Sequence, residues 1–250
     1  QVVDMRSIKK KGSYFESISP ELHKLIEASH TSNQNLFLFA SRRGLSPLTV
    51  CGDCGATAVC SRCQSPITLH TSSSNDGVKN IFLCHACGEK RTTDERCAHC
   101  QSWKLTPLGV GIELVEQELL KKFPTLKVFR IDKDTASTSA KATKIVGDFY
   151  QSPGSVLLGT EMSLAYLDKK IDNTAVVSLD SLFSLPDFRV HERILHILLK
   201  IRALSLSGFL VQTRLQGENV LEYAVKGNLA DFYREEIAER ETFGYPPFTV

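Results

Sequence analysis

Apolar and polar positions along the chain fall into two alternating rhythms. Residues 35–40 read Asn-Leu-Phe-Leu-Phe-Ala, a continuous apolar run between polar neighbours. Such a run predicts a strand buried on both faces, as in a parallel sheet. Similar runs predict strands over 126–131, 155–158, 174–179 and 208–213, and a short β-type run opens the chain over 2–6. Between them the period lengthens to that of a helix. Ser19-Pro20-Glu21 offers an N-cap, a first-turn proline and a first-turn acid, and Leu22, Leu25 and Ile26 supply the buried stripe. Leu114, Leu119, Leu120 and Phe123 predict a helix over 113–123, and Asp134-Thr135 introduces another that runs to about Tyr150. A long apolar helix is expected over 188–204, then two closing helices, the last from Asn228 to about Phe243.

Strands alternating with helices predict an α/β fold with a mostly parallel, doubly wound sheet. One stretch breaks the alternation. All eight cysteines lie between positions 51 and 100, in four Cys-x-x-Cys pairs: Cys51/Cys54, Cys60/Cys63, Cys84/Cys87 and Cys97/Cys100.

A Cys-x-x-Cys turn aims two sulfurs at one point, so two such turns complete a tetrahedral metal site and four complete two sites. Disulfides would need an oxidising compartment, and no basic-apolar leader precedes them. A redox motif would be a single pair beside a βαβ unit, and iron–sulfur ligation uses less regular spacing. Two structural zinc ions are therefore expected. His70, His85 and His99 lie nearby, but no ninth ligand is needed. Between Cys63 and Cys84, two short β-type runs flank a Ser-rich, Gly-containing tip, which predicts a hairpin. A hairpin joins its own ends, so Cys60, Cys63, Cys84 and Cys87 should share one zinc. Cys51, Cys54, Cys97 and Cys100 are then left to the other.

Composition narrows the picture only modestly. In 250 residues the apolar fraction is 42% and the net charge +2, so a sizeable core is possible and no overall basic excess announces a nucleic acid. Local basic clusters stand at Lys9-Lys10-Lys11, Arg42-Arg43, Lys121-Lys122 and Lys169-Lys170. No apolar run reaches the length of a membrane span, and reduced cysteines point to the cytoplasm. Neither end has the look of a natural terminus, so the chain is expected to be a piece of a longer protein.

Several further motifs carry a resemblance. These are Arg42-Arg43-Gly44, Gly109-Val110-Gly111-Ile112-Glu113, Arg130-Ile131-Asp132-Lys133-Asp134-Thr135, Gly159-Thr160-Glu161-Met162, Leu185-Pro186-Asp187-Phe188-Arg189, Glu192-Arg193 and Tyr245-Pro246-Pro247-Phe248. With the four cysteine pairs, they resemble the second helicase lobe of the primosomal protein N′ (PriA) family along nearly the whole chain. The resemblance implies a RecA-like lobe carrying a two-zinc, ribbon-like insertion, in an ATP-driven 3′-to-5′ DNA helicase of replication restart. It also implies single-stranded or forked DNA, primosome proteins and single-strand-binding proteins as partners. ATP and Mg²⁺ would bind only together with a preceding lobe, because no Gly-x-x-x-x-Gly-Lys-Ser/Thr occurs here.

On that basis residues 1–50 read as a linker and the first part of the lobe, 51–105 as the zinc insertion, 106–227 as the rest of the lobe, and 228–250 as a helix leading into a further C-terminal domain. Residues expected to couple DNA to nucleotide are Arg42, Arg43, Gly159, Thr160, Asp180 and Arg202, those at strand ends being suited to ligands. Where the family carries a Gly-Arg-Ala-Gly-Arg motif, this chain reads Arg202-Ala203-Leu204-Ser205-Leu206-Ser207, which retains at most one of the two arginines. Glu161 stands where the family has a glutamine. Three readings follow: an active helicase lobe, a non-hydrolysing relative kept as a DNA or primosome scaffold, and a free-standing zinc-ribbon adaptor.

Overall fold

The computed structural model describes residues 1–8, 16–40, 48–74, 77–108, 110–185, 187–215 and 217–249. Its elements are β1 (Val2–Asp4), α1 (Pro20–Thr31), β2 (Leu36–Ala40), β3 (Leu48–Cys51), β4 (Thr68–Ser74), β5 (Gly77–Leu83), β6 (Lys90–Thr92) and β7 (Leu105–Leu108), followed by α2 (Ile112–Lys122), β8 (Val128–Ile131), α3 (Ser139–Tyr150), β9 (Val156–Gly159), β10 (Ile171–Ser178), α4 (Val190–Leu204), β11 (Ser205–Thr213), α5 (Asn219–Lys226) and α6 (Leu229–Phe243). Three 3-10 turns join them, at Met5–Ser7, Glu161–Ala165 and Asp180–Ser184.

Six strands form the main sheet in the order β1-β11-β10-β2-β9-β8, and every neighbouring pair is parallel. Side chains alternate along each strand, so the sheet divides the core in two. Leu36, Leu38 and Ala40 join Val156, Leu158, Ala175 and Val177 under α1 and α2. Phe37 and Phe39 join Leu157, Val176 and Val211 under α3, α4 and α5. The expected α/β class holds, with helices on both faces.

Helix starts follow local chemistry. Ser19 caps α1 by accepting from the Leu22 amide at 3.0 Å. The helix expected from Asp134-Thr135 begins later, at Ser139, with Thr138 as its cap. Asp132 explains the delay. Its Oδ1 accepts from the amides of Asp134 and Thr135, at 3.1 and 2.9 Å, which ties residues 132–135 into a turn before the helix can start. The long helix starts at Val190, two residues after the expected position.

The cysteine-bearing segment leaves the sheet on an antiparallel ribbon of β3 and β7, registered from Leu48↔Leu108 to Cys51↔Leu105. The expected hairpin is present as β4 and β5, in register from Thr68↔Leu83 to Ser74↔Gly77, and β6 adds a third strand. The apolar core of this segment is small: Leu48, Val50 and Leu108 in one cluster, and Cys60, Ile67, Phe82 and Cys84 in another.

Candidate functional site

Each Cys-x-x-Cys pair is built by the same backbone device. The fourth residue after the first cysteine is Gly55, Gln64, Gly88 or Gln101, with φ of 74°, 61°, 76° and 59°. Each donates its amide to the carbonyl of that first cysteine, at 2.8 to 3.0 Å. The first cysteine in turn donates to the carbonyl of the next residue along: Cys51 to Ala56, Cys60 to Ser65, Cys84 to Glu89 and Cys97 to Ser102. Left-handed backbone at one residue closes the loop and turns both sulfurs inward. Glycine takes that conformation without cost, and glutamine takes it at two of the four turns.

The turns meet in two groups. Cys51, Cys54, Cys97 and Cys100 form one, and Cys60, Cys63, Cys84 and Cys87 the other, the sulfurs in each lying within 4.8 Å of one another. This is the nested grouping that the hairpin predicted. Contacts across the groups are 3.5 Å (Cys51–Cys100), 3.6 Å (Cys54–Cys97), 3.5 Å (Cys60–Cys87) and 3.5 Å (Cys63–Cys84). A tetrahedron with metal–sulfur bonds of about 2.3 Å has edges of about 3.8 Å, so both donor sets fit a thiophilic dication with little movement.

The sulfurs compete for charge. Burial is the largest influence on the thiols of Cys51, Cys54, Cys60, Cys63 and Cys84 and pushes each of them up, but hydrogen bonds reverse the outcome at Cys51 and Cys63. Amides of Cys54 and Asp53 overcome the burial of Cys51 and hold its thiol at about 7, whereas Cys54 is pushed up to about 12. In the second group Cys63 is held at about 7 and Cys60 is raised. The Cys60 thiol also donates to Glu89 Oε2 at 2.6 Å, a contact that only a protonated sulfur can make. A bound dication would remove the competition by stabilising all four thiolates. His70 and His85 face each other at 3.0 Å beside the second group, and His99 is exposed.

The first group lies against the carboxyl edge of the parallel sheet. A groove of about 490 Å³ runs between them, bordered by Arg6, Arg91, Arg96, His99, Arg214 and Glu218. Arg6 is paired with Asp4, and Arg91 with Glu95 at 3.3 Å. Trp103 is exposed just beyond, with the Arg96 guanidinium 4.3 Å from its ring centre.

Among the residues singled out for coupling, Gly159, Thr160 and Asp180 share that edge. Gly159 ends β9, and a Cβ there would meet Ser163 Oγ at 2.4 Å. Thr160 is buried and its carbonyl accepts from Ser163 Oγ at 2.6 Å. Asp180 is buried just past β10, where it accepts from Thr213 Oγ1 and the Arg214 amide, both at 2.7 Å. Burial pushes its carboxyl above the usual carboxylate range. Arg202 stands apart, in the last turn of α4 with its guanidinium against Gly227. That turn leads into Ser205, which pairs with Ile171 at the opposite end of β10. Eight residues of strand, about 26 Å at 3.3 Å each, separate the two edges. Arg42 and Arg43 lie outside the described residues.

Two arginines were not among the residues singled out for a site. Arg214 is buried at the same edge and donates to the Met5 carbonyl at 2.6 Å. Its position directly after a strand was the available signal. Arg130 on β8 gathers Glu113 at 3.1 Å, Glu116 at 2.7 Å and Asp132. Glu161 is held by Arg193 at 2.7 Å.

No helix among the described residues is long and apolar enough to cross a membrane. No family model matches the chain. It is 31% identical to the replication restart protein PriA of Haemophilus influenzae, over 93% of this chain and 32% of that protein. The corresponding values are 28%, 99% and 31% for PriA of Bacillus subtilis, and 30%, 93% and 35% for PriA of Borreliella burgdorferi. The chain thus spans about a third of the length of these relatives.

Proposed function

Since the chain belongs to the family of the replication restart protein PriA, we propose that it is the C-terminal helicase lobe and metal module of a 3′-to-5′ DNA helicase that acts in replication restart. The observation that carries this reading is the placement of two four-cysteine groups on a ribbon at the carboxyl edge of a parallel sheet. That edge is where open α/β sheets take their ligands.

In this reading the cysteines hold two zinc ions. Zinc suits an all-thiolate, tetrahedral donor set with no open position, and it supplies folding free energy to a segment whose own core is small. The groove between the first metal group and the sheet receives a single strand or fork of DNA, with arginines facing phosphates and Trp103 available to a base. Gly159, Thr160 and Asp180, with Arg42 and Arg43, form this lobe's half of an ATP–Mg²⁺ site completed by a preceding lobe. Residues 1–50 supply a linker and the first part of the lobe, 106–227 the rest of it, and 51–105 the metal insertion. Residues 228–250 lead toward a further domain, a role supported by Leu229, Tyr233 and Ile237, exposed at four-residue spacing on α6. Primosome and single-strand-binding proteins are the protein partners, in the cytoplasm.

A second reading, a non-hydrolysing scaffold, has two observations in its favour. Arg202 lies at the edge away from Asp180, and Arg193 is engaged with the carboxylate of Glu161. ATP turnover by the full-length parent, with and without single-stranded DNA, separates the two. DNA-stimulated turnover supports the helicase. DNA binding without turnover, with both zincs retained, supports the scaffold. Loss of both activities from a zinc-loaded protein overturns the nucleic-acid role altogether.

A further inference from the structure

We propose that His191, Glu236 and Glu239 form a third cation site, which takes a divalent transition metal through imidazole and carboxylate donors. It is independent of the cysteine groups and of the helicase reading. His191 is the second residue of α4. Glu236 and Glu239 lie one turn apart on α6, and residues three apart on a helix share a face. Glu218, which precedes α5, closes the far side of the ring.

The spacing is that of donors around an ion rather than of hydrogen bonds. His191 Nδ1 is 4.0 Å from Glu236 Oε2 and 3.9 Å from Glu239 Oε2, and Nε2 is 3.8 Å from Glu218 Oε2. None of these is short enough for a hydrogen bond, and neither ring nitrogen has one among the described residues. Neighbouring donors in a tetrahedron with bonds of about 2.1 Å stand about 3.4 Å apart, so Nδ1 and the two Oε2 atoms close on one ion with about half an ångström of movement. The three donor atoms of His191, Glu236 and Glu239 all lie within 4.8 Å of one another.

Charge points the same way. Arg240 is taken up by Glu192 at 2.8 Å and by Glu236 Oε1 at 3.0 Å, which leaves Glu236 Oε2 facing the imidazole. Four carboxylates, Glu192, Glu218, Glu236 and Glu239, thus surround one arginine and one histidine. Glu236 is only 5% exposed. The other cluster, Glu113, Asp132 and Asp134, differs in offering carboxylates alone, with no imidazole nitrogen, and Arg130 holds two of them. A cavity of about 480 Å³ beside His191, reaching Cys63 and Cys87, provides the entry path. Nitrogen and carboxylate donors suit Zn²⁺, Co²⁺, Ni²⁺ or Mn²⁺. Such an ion would clamp the start of α4 to α6.

The test is a Co²⁺ titration of the 250-residue chain already loaded with two zinc ions. The expected result is one further equivalent bound without the thiolate-to-cobalt charge-transfer absorption that cysteine ligation would produce. It should bind at least about tenfold more weakly in His191→Ala and Glu239→Gln, since loss of even an outer-shell partner costs 10–100-fold. Glu239 is half exposed, so its variant should fold normally and serve as the control for His191→Ala. Saturation at two metals per chain overturns the proposal. So does a third equivalent of unchanged affinity in both variants.

Discussion

A Cβ on residue 55 would stand 2.6 Å from the carbonyl oxygen of Arg6, so Gly55 is where the metal insertion rests on the amino-terminal turn. Gly88 occupies the equivalent place in another cysteine turn, with nothing within 4 Å of its Cβ position. Both have positive φ, 74° and 76°. Alanine pays roughly 1–2 kcal/mol for left-handed backbone. Gly88→Ala should cost about that much, and Gly55→Ala about 1–3 kcal/mol more from overpacking. Denaturant titration of the zinc-loaded chain checks the ranking, and an equal cost at both positions would show that Arg6 can retreat freely.

Cys97→Ser and Cys60→Ser should each remove one metal per chain, since each leaves its group with three sulfurs. Metal binding contributes about 10–16 kcal/mol in small structural zinc modules, so the insertion should lose its fold while the parallel sheet keeps its own. Metal stoichiometry and proteolysis within residues 51–105 provide the measurement. Retention of two metals in either variant would falsify the ligand assignment.

Asp180→Ala leaves the Thr213 hydroxyl and the Arg214 amide without their buried acceptor. The expected cost is about 2–4 kcal/mol. The pH dependence has a definite sign. Burial holds the carboxyl of Asp180 above its unfolded value near 3.8, so the folded state binds the proton more tightly. The stability it contributes is complete below 3.8 and is lost as pH rises through the folded value. The stability of the parent relative to Asp180→Asn should therefore fall as pH is raised from 3.8 upward. A rise over that range would contradict the assignment.

Glu161→Gln releases Arg193 from its partner at 2.7 Å, and both side chains are about half exposed. An exposed pair contributes about 0–1 kcal/mol, so stability should hardly change. If DNA lies along the carboxyl edge, removal of the carboxylate and release of the guanidinium should tighten single-strand binding a few-fold and steepen its salt dependence. Unchanged affinity and salt slope would place the strand elsewhere.

The α/β class was legible because it is written in local period: 35–40 as an unbroken apolar run, and 19–31 as a capped helix with its stripe at Leu22 and Ile26. The cysteine grouping was legible for a related reason, since a hairpin brings its own ends together. Tertiary structure decided what depends on distant partners. The first strand pairs Val2 with Val211, and the ribbon beneath the metal groups pairs Leu48 with Leu108. No local pattern encodes such pairings, because their free energy arises only when remote segments meet. The start of α3 moved to Ser139 because Asp132 captured two amides that the helix would otherwise have used. Arg202 looked equivalent to other arginines in sequence, and the direction of α4 carried it to the opposite edge from Asp180. Nothing in the local sequence marks His191, and only the placement of α5 and α6 beside α4 surrounds it with carboxylates. Period and spacing act within one segment, whereas the charge around a side chain is set by whichever segments fold against it.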